Sequence, residues 1–231
     1  LCFKTIQEYN KLLKDISQYM IGKYGAIPFI GNFDGSGHTI TIRDVSGNNY
    51  FGLFGFVGNG TITIKVIKNV TVRYTQNITI NSSTVTNFGG ICGYNVANTI
   101  QDNTVIYNSG VKITIVNTGS GTDGKIRHGG CIGYNSGIDI STPANCIRNT
   151  IILHDSVDFS SNSINDASLI GCIIGANITY ANVSGCLLNC GNISIKCDSA
   201  KYYMGGTIGY NDTSTFTYNT ITFGNVTFTG N

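Results

Sequence analysis

The sequence predicts an all-β protein built as a solenoid of stacked parallel strands, with one short helix at its N-terminal end. Three observations carry that expectation. A glycine signature recurs at a nearly fixed spacing, the segments between its copies alternate in the manner of strands, and the composition is wrong for helices. Charged residues are only 11% of the 231, while 30 are glycine and 2 are proline, so the charged exterior of a helix bundle is missing. Hydrophobic residues reach 41%, enough for a core and too many for a disordered chain.

The signature is Gly89-Gly-Ile-Cys-Gly-Tyr-Asn95, Gly129-Gly-Cys-Ile-Gly-Tyr-Asn135 and Gly205-Gly-Thr-Ile-Gly-Tyr-Asn211. Gly171-Cys-Ile-Ile-Gly-Ala-Asn177 is a decayed copy, and Phe51-Gly-Leu-Phe-Gly-Phe-Val57 a more distant first one. Successive starts are 38, 40, 42 and 34 residues apart. A period of this size, without a helical crossover pattern, suits a coil in which each turn stacks on the last. Glycine removes side chains where backbone must bend or approach another rung. Asparagine at the seventh position tolerates left-handed dihedrals and can ladder with its counterparts.

Between the copies lie alternating β-branched runs: Thr61–Val66, Asn77–Ile80, Val111–Val116, Asn192–Ile195 and Thr220–Phe223. These read as strands. A second mark, at Asn69-Val-Thr-Val, Asn103-Thr-Val-Ile, Asn149-Thr-Ile-Ile and Asn219-Thr-Ile-Thr, gives at least two strand layers per period. With a strand spacing near 4.8 Å and roughly 20 residues per rung, the expectation is about ten rungs and a rod of roughly 50 Å. A propeller is the rival at this period. It needs about four strands per period, for which the expected loops at Thr118–Lys125 and Ser160–Ala167 leave little room.

The first 26 residues differ. Thr5-Ile-Gln-Glu8 is a capping box, and Ile6, Tyr9, Leu12, Leu13, Ile16, Tyr19 and Met20 share one helical face. An amphipathic helix over 1–26 that covers the open end of a solenoid spanning 27–231, with about five degenerate repeats, is the expectation. Membrane contact through Lys4, Lys11 and Lys14 is the weaker reading of the same segment. At the other end, Phe223–Asn231 still reads as strand, so that end is expected to be cut, capped by a partner or continued. A start at Leu1 rather than Met is expected of a processed or excised piece.

The stretch Ile27-Pro-Phe-Ile-Gly-Asn-Phe-Asp-Gly-Ser-Gly-His-Thr-Ile40, followed by Phe51-Gly-Leu-Phe-Gly55 and the three Gly-Gly-x-x-Gly-Tyr-Asn copies, resembles the GLUG-motif repeat family from about Ile27 onward. The resemblance implies a right-handed parallel β-helix that serves bacterial adhesins and other large surface proteins as stalk, scaffold or adhesive surface. It carries no catalytic residues and no cofactor. It also implies protein neighbours in an assembly, or a host-surface glycan or receptor, as partners, and a place outside the cell, on a cell surface or on a virion. The chain departs from the family at Gly171–Asn177 and in its eight cysteines.

Those cysteines, at 2, 92, 131, 146, 172, 186, 190 and 197, are too dispersed to compel a disulfide framework. On one strand Cys186 and Cys190 would stand roughly 13 Å apart, too far to share a metal unless a turn at Asn189–Gly191 intervenes. Buried small thiols are the expectation. Nucleic acid is not expected, since Lys+Arg 14 against Asp+Glu 12 leaves a net charge of +2. No apolar run approaches the roughly 18 residues of a membrane helix, so direct membrane insertion is not expected either.

Phe33-Asp-Gly-Ser-Gly-His-Thr-Ile40 also opens many pectin-lyase-like β-helices, which makes a carbohydrate-active enzyme the alternative. Hydrolysis of that kind needs two or three convergent carboxylates. Asp34 belongs to a turn, Glu8 to the capping box, and Asp155 and Asp158 point to opposite sides of a strand. His38, His128 and His154 are expected at the surface, each without a nearby Ser or Cys. The reading is therefore non-enzymatic. Tyr94, Tyr134 and Tyr210 share one motif position and are candidates for a binding ladder, unless they pack within the turn. Paired threonines such as Thr61 and Thr63 are too irregular to favour ice binding. Nine sequons, at Asn59, Asn69, Asn77, Asn81, Asn177, Asn182, Asn192, Asn211 and Asn225, are candidate glycosylation sites in a secreted chain.

Overall fold

The computed structural model describes residues 21–22, 28–45, 49–58, 64–120 and 125–230. Within them the chain is a parallel β-solenoid, and one full coil consumes one period of the glycine signature. Each coil visits four faces in order. The first face stacks Phe33–Asp34, Val66–Lys68, Thr99–Gln101, Ala144–Ile147, Ala181–Ser184 and Thr215–Thr217. The second stacks Thr39–Ile42, Thr71–Tyr74, Thr104–Tyr107, Thr150–Leu153, Leu187–Cys190 and Thr220–Phe223. The third is long and bent; it runs unbroken as Asp158–Gly171 and Ile193–Gly205, and elsewhere divides into pieces such as Lys112–Asn117 and Ile126–Gly129. The fourth stacks Phe54–Val57, Cys92–Val96, Ile132–Ser136, Ile174–Ile178 and Ile208–Asp212.

Four strands per period is the count expected of a propeller blade, yet every one of them pairs in parallel with its counterpart one period away, as Val105 does with both Val72 and Ile151. The coil therefore holds a whole period rather than half of one. The expected ten rungs become about five turns, and Thr41, Arg73, Ile106, Ile152, Asn189 and Thr222 climb the second face in five register steps, a height of about 24 Å. The 20-residue rung was an undercount because most corners consume only two to four residues each and leave room for four strands.

Those corners rest on left-handed backbone. Between the first and second faces the residue with positive φ is Asn69, Asp102, Arg148, Gly185 and Tyr218 in successive coils. A non-glycine residue there costs roughly 1–2 kcal/mol, which neighbouring interactions must offset. The next position provides one. Asn103 Oδ1 accepts from Val70 N at 3.1 Å, Asn149 Oδ1 from Asn103 N at 3.1 Å, and Asn219 Oδ1 from Cys186 N at 2.8 Å, so each asparagine satisfies the coil before it. Asn69 does not belong to this row. It occupies the left-handed corner and Val70 takes the inward place.

The core fills the coil with aliphatic ladders, among them Ile67–Ile100–Cys146–Val183 and Val72–Val105–Ile151–Leu188, all fully buried. Tyr74 and Tyr107 stack at 4.8 Å and send their hydroxyls across the coil to the carbonyls of Gly90 and Gly130, each at 2.9 Å. The second glycine of the signature makes room for that hydroxyl: a Cβ on Gly90 would lie 2.7 Å from Tyr107 Oη. In the decayed coil the corresponding pair is Leu153 and Cys172. There both the tyrosine hydroxyl and the glycine are absent, whereas the next coil has Cys190 at the tyrosine position and keeps the glycine, Gly206.

Two expectations need correction, and a third lies almost wholly outside the described residues. Ser160–Ala167 is strand, within Asp158–Gly171, and the register only slips between Ser163 and Ala167. Its polar composition suggested a loop, but the inward hydroxyls pair with one another, Ser168 Oγ with Ser199 Oγ at 2.7 Å. His128 is not at the surface; it is fully buried between Phe88 and Phe159, with Nδ1 3.2 Å from Ser161 Oγ. The N-terminal helix falls on residues outside those described, apart from Ile21 and Gly22. Ile21 bridges Phe54 in parallel, donating to Leu53 O at 3.1 Å, so at that point the chain already runs along the fourth face.

Candidate functional site

The signature's first and fifth glycines stand where the third and fourth faces of one coil fold against each other. A Cβ on Gly93 would lie 2.6 Å from Phe51 N and 2.8 Å from Asn87 O, and one on Gly133 would lie 2.7 Å from Phe88 O. Only a hydrogen atom fits. This close approach brings together two outward rows of side chains, one from each face. The fourth-face row is Phe56–Tyr94–Tyr134–Ala176–Tyr210. The third-face row is Tyr50–Asn87–Arg127–Leu169–Tyr203.

The rows touch along their length. Tyr50 meets Phe56 at 5.7 Å and Tyr94 at 5.6 Å between ring centroids, and Phe56 meets Tyr94 edge-on at 5.0 Å. Tyr94 and Tyr134 are 4.5 Å apart. The Arg127 guanidinium lies over the Tyr134 ring, 4.1 Å from its centre, and Nη1 donates to Asn87 Oδ1 at 3.0 Å. Leu169, Ala167 and Ala176 pack around Tyr134, and Tyr203 meets Tyr210 at 5.6 Å. The candidate tyrosines are therefore neither in the core nor free-standing: Tyr94 and Tyr134 are half-buried and Tyr210 is 38% exposed. Ala176 interrupts the ladder, so Tyr94 and Tyr134 form one unit and Tyr210 another with Tyr203.

Burial lowers the pKa of Arg127 and raises that of Tyr134, the second being opposed by the Arg127 charge. Asn87 is 1% exposed and its Nδ2 has no hydrogen-bond partner. Sequence reasoning missed Tyr50, Asn87, Arg127, Leu169 and Tyr203. Their signal was the residue two places before the first glycine of each copy.

The motif asparagines lie on the inner side of the same strands. Asn95, Asn135 and Asn177 are fully buried, and each passes its Nδ2 to the Oδ1 of the next, at 2.8, 2.9 and, onto Asn211, 2.8 Å. They form the expected ladder with ordinary strand backbone, since none has a positive φ. Asn177 is consequently withdrawn as a glycosylation site, because its amide is consumed inside the wall. Asn69 is half-buried and donates to Asp34 Oδ1 at 3.1 Å, and Asn59 lies outside the described residues. Asn77, Asn81, Asn192, Asn211 and Asn225 are exposed and Asn182 partly so.

Seven cysteines are described, all free and buried, with the Sγ atoms of Cys146 and Cys186 3.8 Å apart. Asn189 continues the strand Leu187–Cys190, so the turn that would join Cys186 to Cys190 is not formed, and no group of three metal-ligating side chains occurs among the described residues. The acids are held separately: Asp34 by Lys68, Asp102 by Arg148 at 2.7 Å and Asp158 by Lys196 at 2.7 Å. Asp139 and Asp155 cap nearby backbone. His38 and His154 are exposed.

No protein-family model matches this chain, and neither do any curated protein or solved structure. The likeness to GLUG-motif repeats therefore rests on the quoted residues.

Proposed function

We propose that the chain is a non-enzymatic structural and adhesive β-solenoid of the GLUG-motif kind, displayed outside a cell or on a virus particle. In this reading its coil is right-handed, an amphipathic helix ahead of Ile21 covers the first turn, and the aromatic seam between the third and fourth faces contacts glycan, receptor or neighbouring subunits. The observation that carries it is the seam itself: seven aromatic or cationic side chains, from Tyr50 to Tyr210, lie in two adjacent rows that climb the coils, in two units parted at Ala176. Aromatic faces with polar tips suit partners that are apolar on one side and wet on the other. The separate pairing of Asp34, Asp102 and Asp158 supports this reading over a carbohydrate-cleaving one, which needs carboxylates that converge.

The test is binding to a panel of immobilised oligosaccharides and to intact cells, with Tyr94→Ala/Tyr134→Ala as the comparison. Loss of binding by ten-fold or more with an unchanged melting curve supports the seam. Equal binding by the folded double variant overturns it.

A further inference from the structure

One member of the seam is out of keeping with the rest. At the position held by Tyr50, Asn87, Leu169 and Tyr203 in the other coils, the third carries Arg127. Its guanidinium is half-buried, stacked on Tyr134, and held by Asn87 Oδ1. No carboxylate forms an ion pair with it among the described residues. Asp166, whose charge reaches it, has its own Oδ1 taken by Ala167 N at 2.7 Å. A half-buried cation without an ion-paired carboxylate is costly, and so is a buried amide donor without an acceptor. The seam has both side by side, in Arg127 and in Asn87 Nδ2.

Both deficits call for the same thing. A carboxylate accepts two parallel N–H bonds from a guanidinium fork and has lone pairs left for an amide donor. The half-buried rings of Tyr94 and Tyr134, whose faces are partly covered by Tyr50 and Arg127, leave apolar edges beside the fork against which the C–H face of a sugar ring can pack. Stacking on Tyr134 fixes the plane of the fork, so its specificity is geometric as well as electrostatic.

We propose that Arg127, oriented by Asn87 and Tyr134, is the specificity-determining residue of a subsite for a carboxylate-bearing sugar, a uronate or a sialic acid, within the aromatic seam. This rests on the seam being the binding surface. The carboxylate is held by Arg127, with the Asn87 amide available as the second donor, and the sugar ring lies against Tyr94 and Tyr134.

The experiment is titration calorimetry with four probes: oligogalacturonate, its methyl ester, sialyllactose and lactose, with oligoglutamate as a non-sugar acid. Wild type is expected to bind at least one of the two acidic saccharides ten- to a hundred-fold more tightly than its neutral counterpart, in line with the worth of charge-assisted hydrogen bonds. Arg127→Gln should erase that preference, bringing the acidic saccharide down to the affinity of its neutral counterpart, while Arg127→Lys restores part of it; melting curves of both variants report whether the fold is kept. Equal affinity for acid and neutral forms overturns the Arg127 subsite while the seam stands. Full binding by Tyr94→Ala/Tyr134→Ala overturns the seam reading, and with it this one. Binding of oligoglutamate as tight as that of the acidic saccharides overturns the sugar assignment, and binding of none of the probes overturns the subsite.

Discussion

Asn95 and Asn135 stand forty residues apart in sequence and are joined inside the wall by a hydrogen bond of 2.8 Å from Nδ2 to Oδ1. The same bond repeats upward to Asn177 and Asn211, so from Asn95 onward the last letter of each glycine signature is bonded directly to the last letter of the next. Asn135 and Asn177 each both donate and accept, while Asn95 only donates and its Oδ1 is buried without a partner, and polarisation along such a chain strengthens its inner links.

Removing a middle rung is therefore expected to cost more than removing an end one. Asn135→Ala deletes the bonds to Asn95, Asn177 and the Ala144 carbonyl and leaves buried groups unsatisfied, for a loss of about 3 kcal/mol. Asn211→Ala, at the exposed end, is expected to cost under about 1 kcal/mol. Urea midpoints of the two variants decide the matter, and equal losses would show that the ladder does not act as a unit.

Gly133→Ala tests the fold of the third face against the fourth. The added methyl meets three main-chain atoms at 2.7–2.8 Å, on Gly93 and Phe88, none of which can turn aside as a side chain would. Several kcal/mol of destabilisation, or failure to fold, is expected, judged by far-ultraviolet circular dichroism and thermal melting. A near-neutral result would mean that the two faces do not approach as described.

His128 makes stability depend on pH in a defined window. Burial alone lowers its pKa to about 3 from an ordinary value of 6.5. Between those values the unfolded chain takes up a proton that the folded chain refuses, so the contribution of this group is complete above pH 6.5 and falls as the pH drops towards 3. The slope reaches at most about 1.4 kcal/mol per pH unit. His128→Leu should flatten the urea-midpoint profile between pH 6 and 4 relative to wild type, where acid titration of the carboxylates is common to both proteins. Parallel profiles would contradict a buried neutral imidazole.

The cysteines should be chemically silent in the folded protein. Burial raises the pKa of Cys92, and Cys146 and Cys186 are raised through their close-packed thiol neighbours, Cys131 and Cys146 respectively, and through burial. Since the thiolate is the nucleophile, iodoacetamide at pH 8 is expected to leave the seven described thiols unmodified until denaturant is added. Rapid alkylation of Cys146 or Cys186 in the native state, read by peptide mass spectrometry, would contradict their placement.

Much of the fold was legible in the sequence, and the reasons differ by element. The 40-residue signature announced stacking because a glycine pressed between two backbones must recur wherever the backbones do. Thr220–Phe223 matched its strand residue for residue, since β-branched alternation is a local signal. The number of residues per coil was not legible. Corners made by a single left-handed residue, such as Asp102 or Arg148, leave no run of turn-forming residues to read. Ser161, within the expected loop, looked like loop because an inward hydroxyl whose partner, His128, comes from a neighbouring coil carries no sequence pattern of its own. At the candidate site, Tyr94 and Tyr134 were visible as repeats of one letter. Their partners Tyr50, Asn87 and Arg127 were not, because that row changes its residue in every coil and is defined only by register.

The central claim is that one glycine period closes one coil. Spin labels placed at Thr41 and Thr222 through non-cysteine chemistry, both outward on the second face and five register steps apart, measure it directly by pulsed electron–electron distance. One coil per period predicts a separation centred near 24 Å, widened by the label arms. A distribution centred near twice that value would mean two rungs per period and would contradict the account.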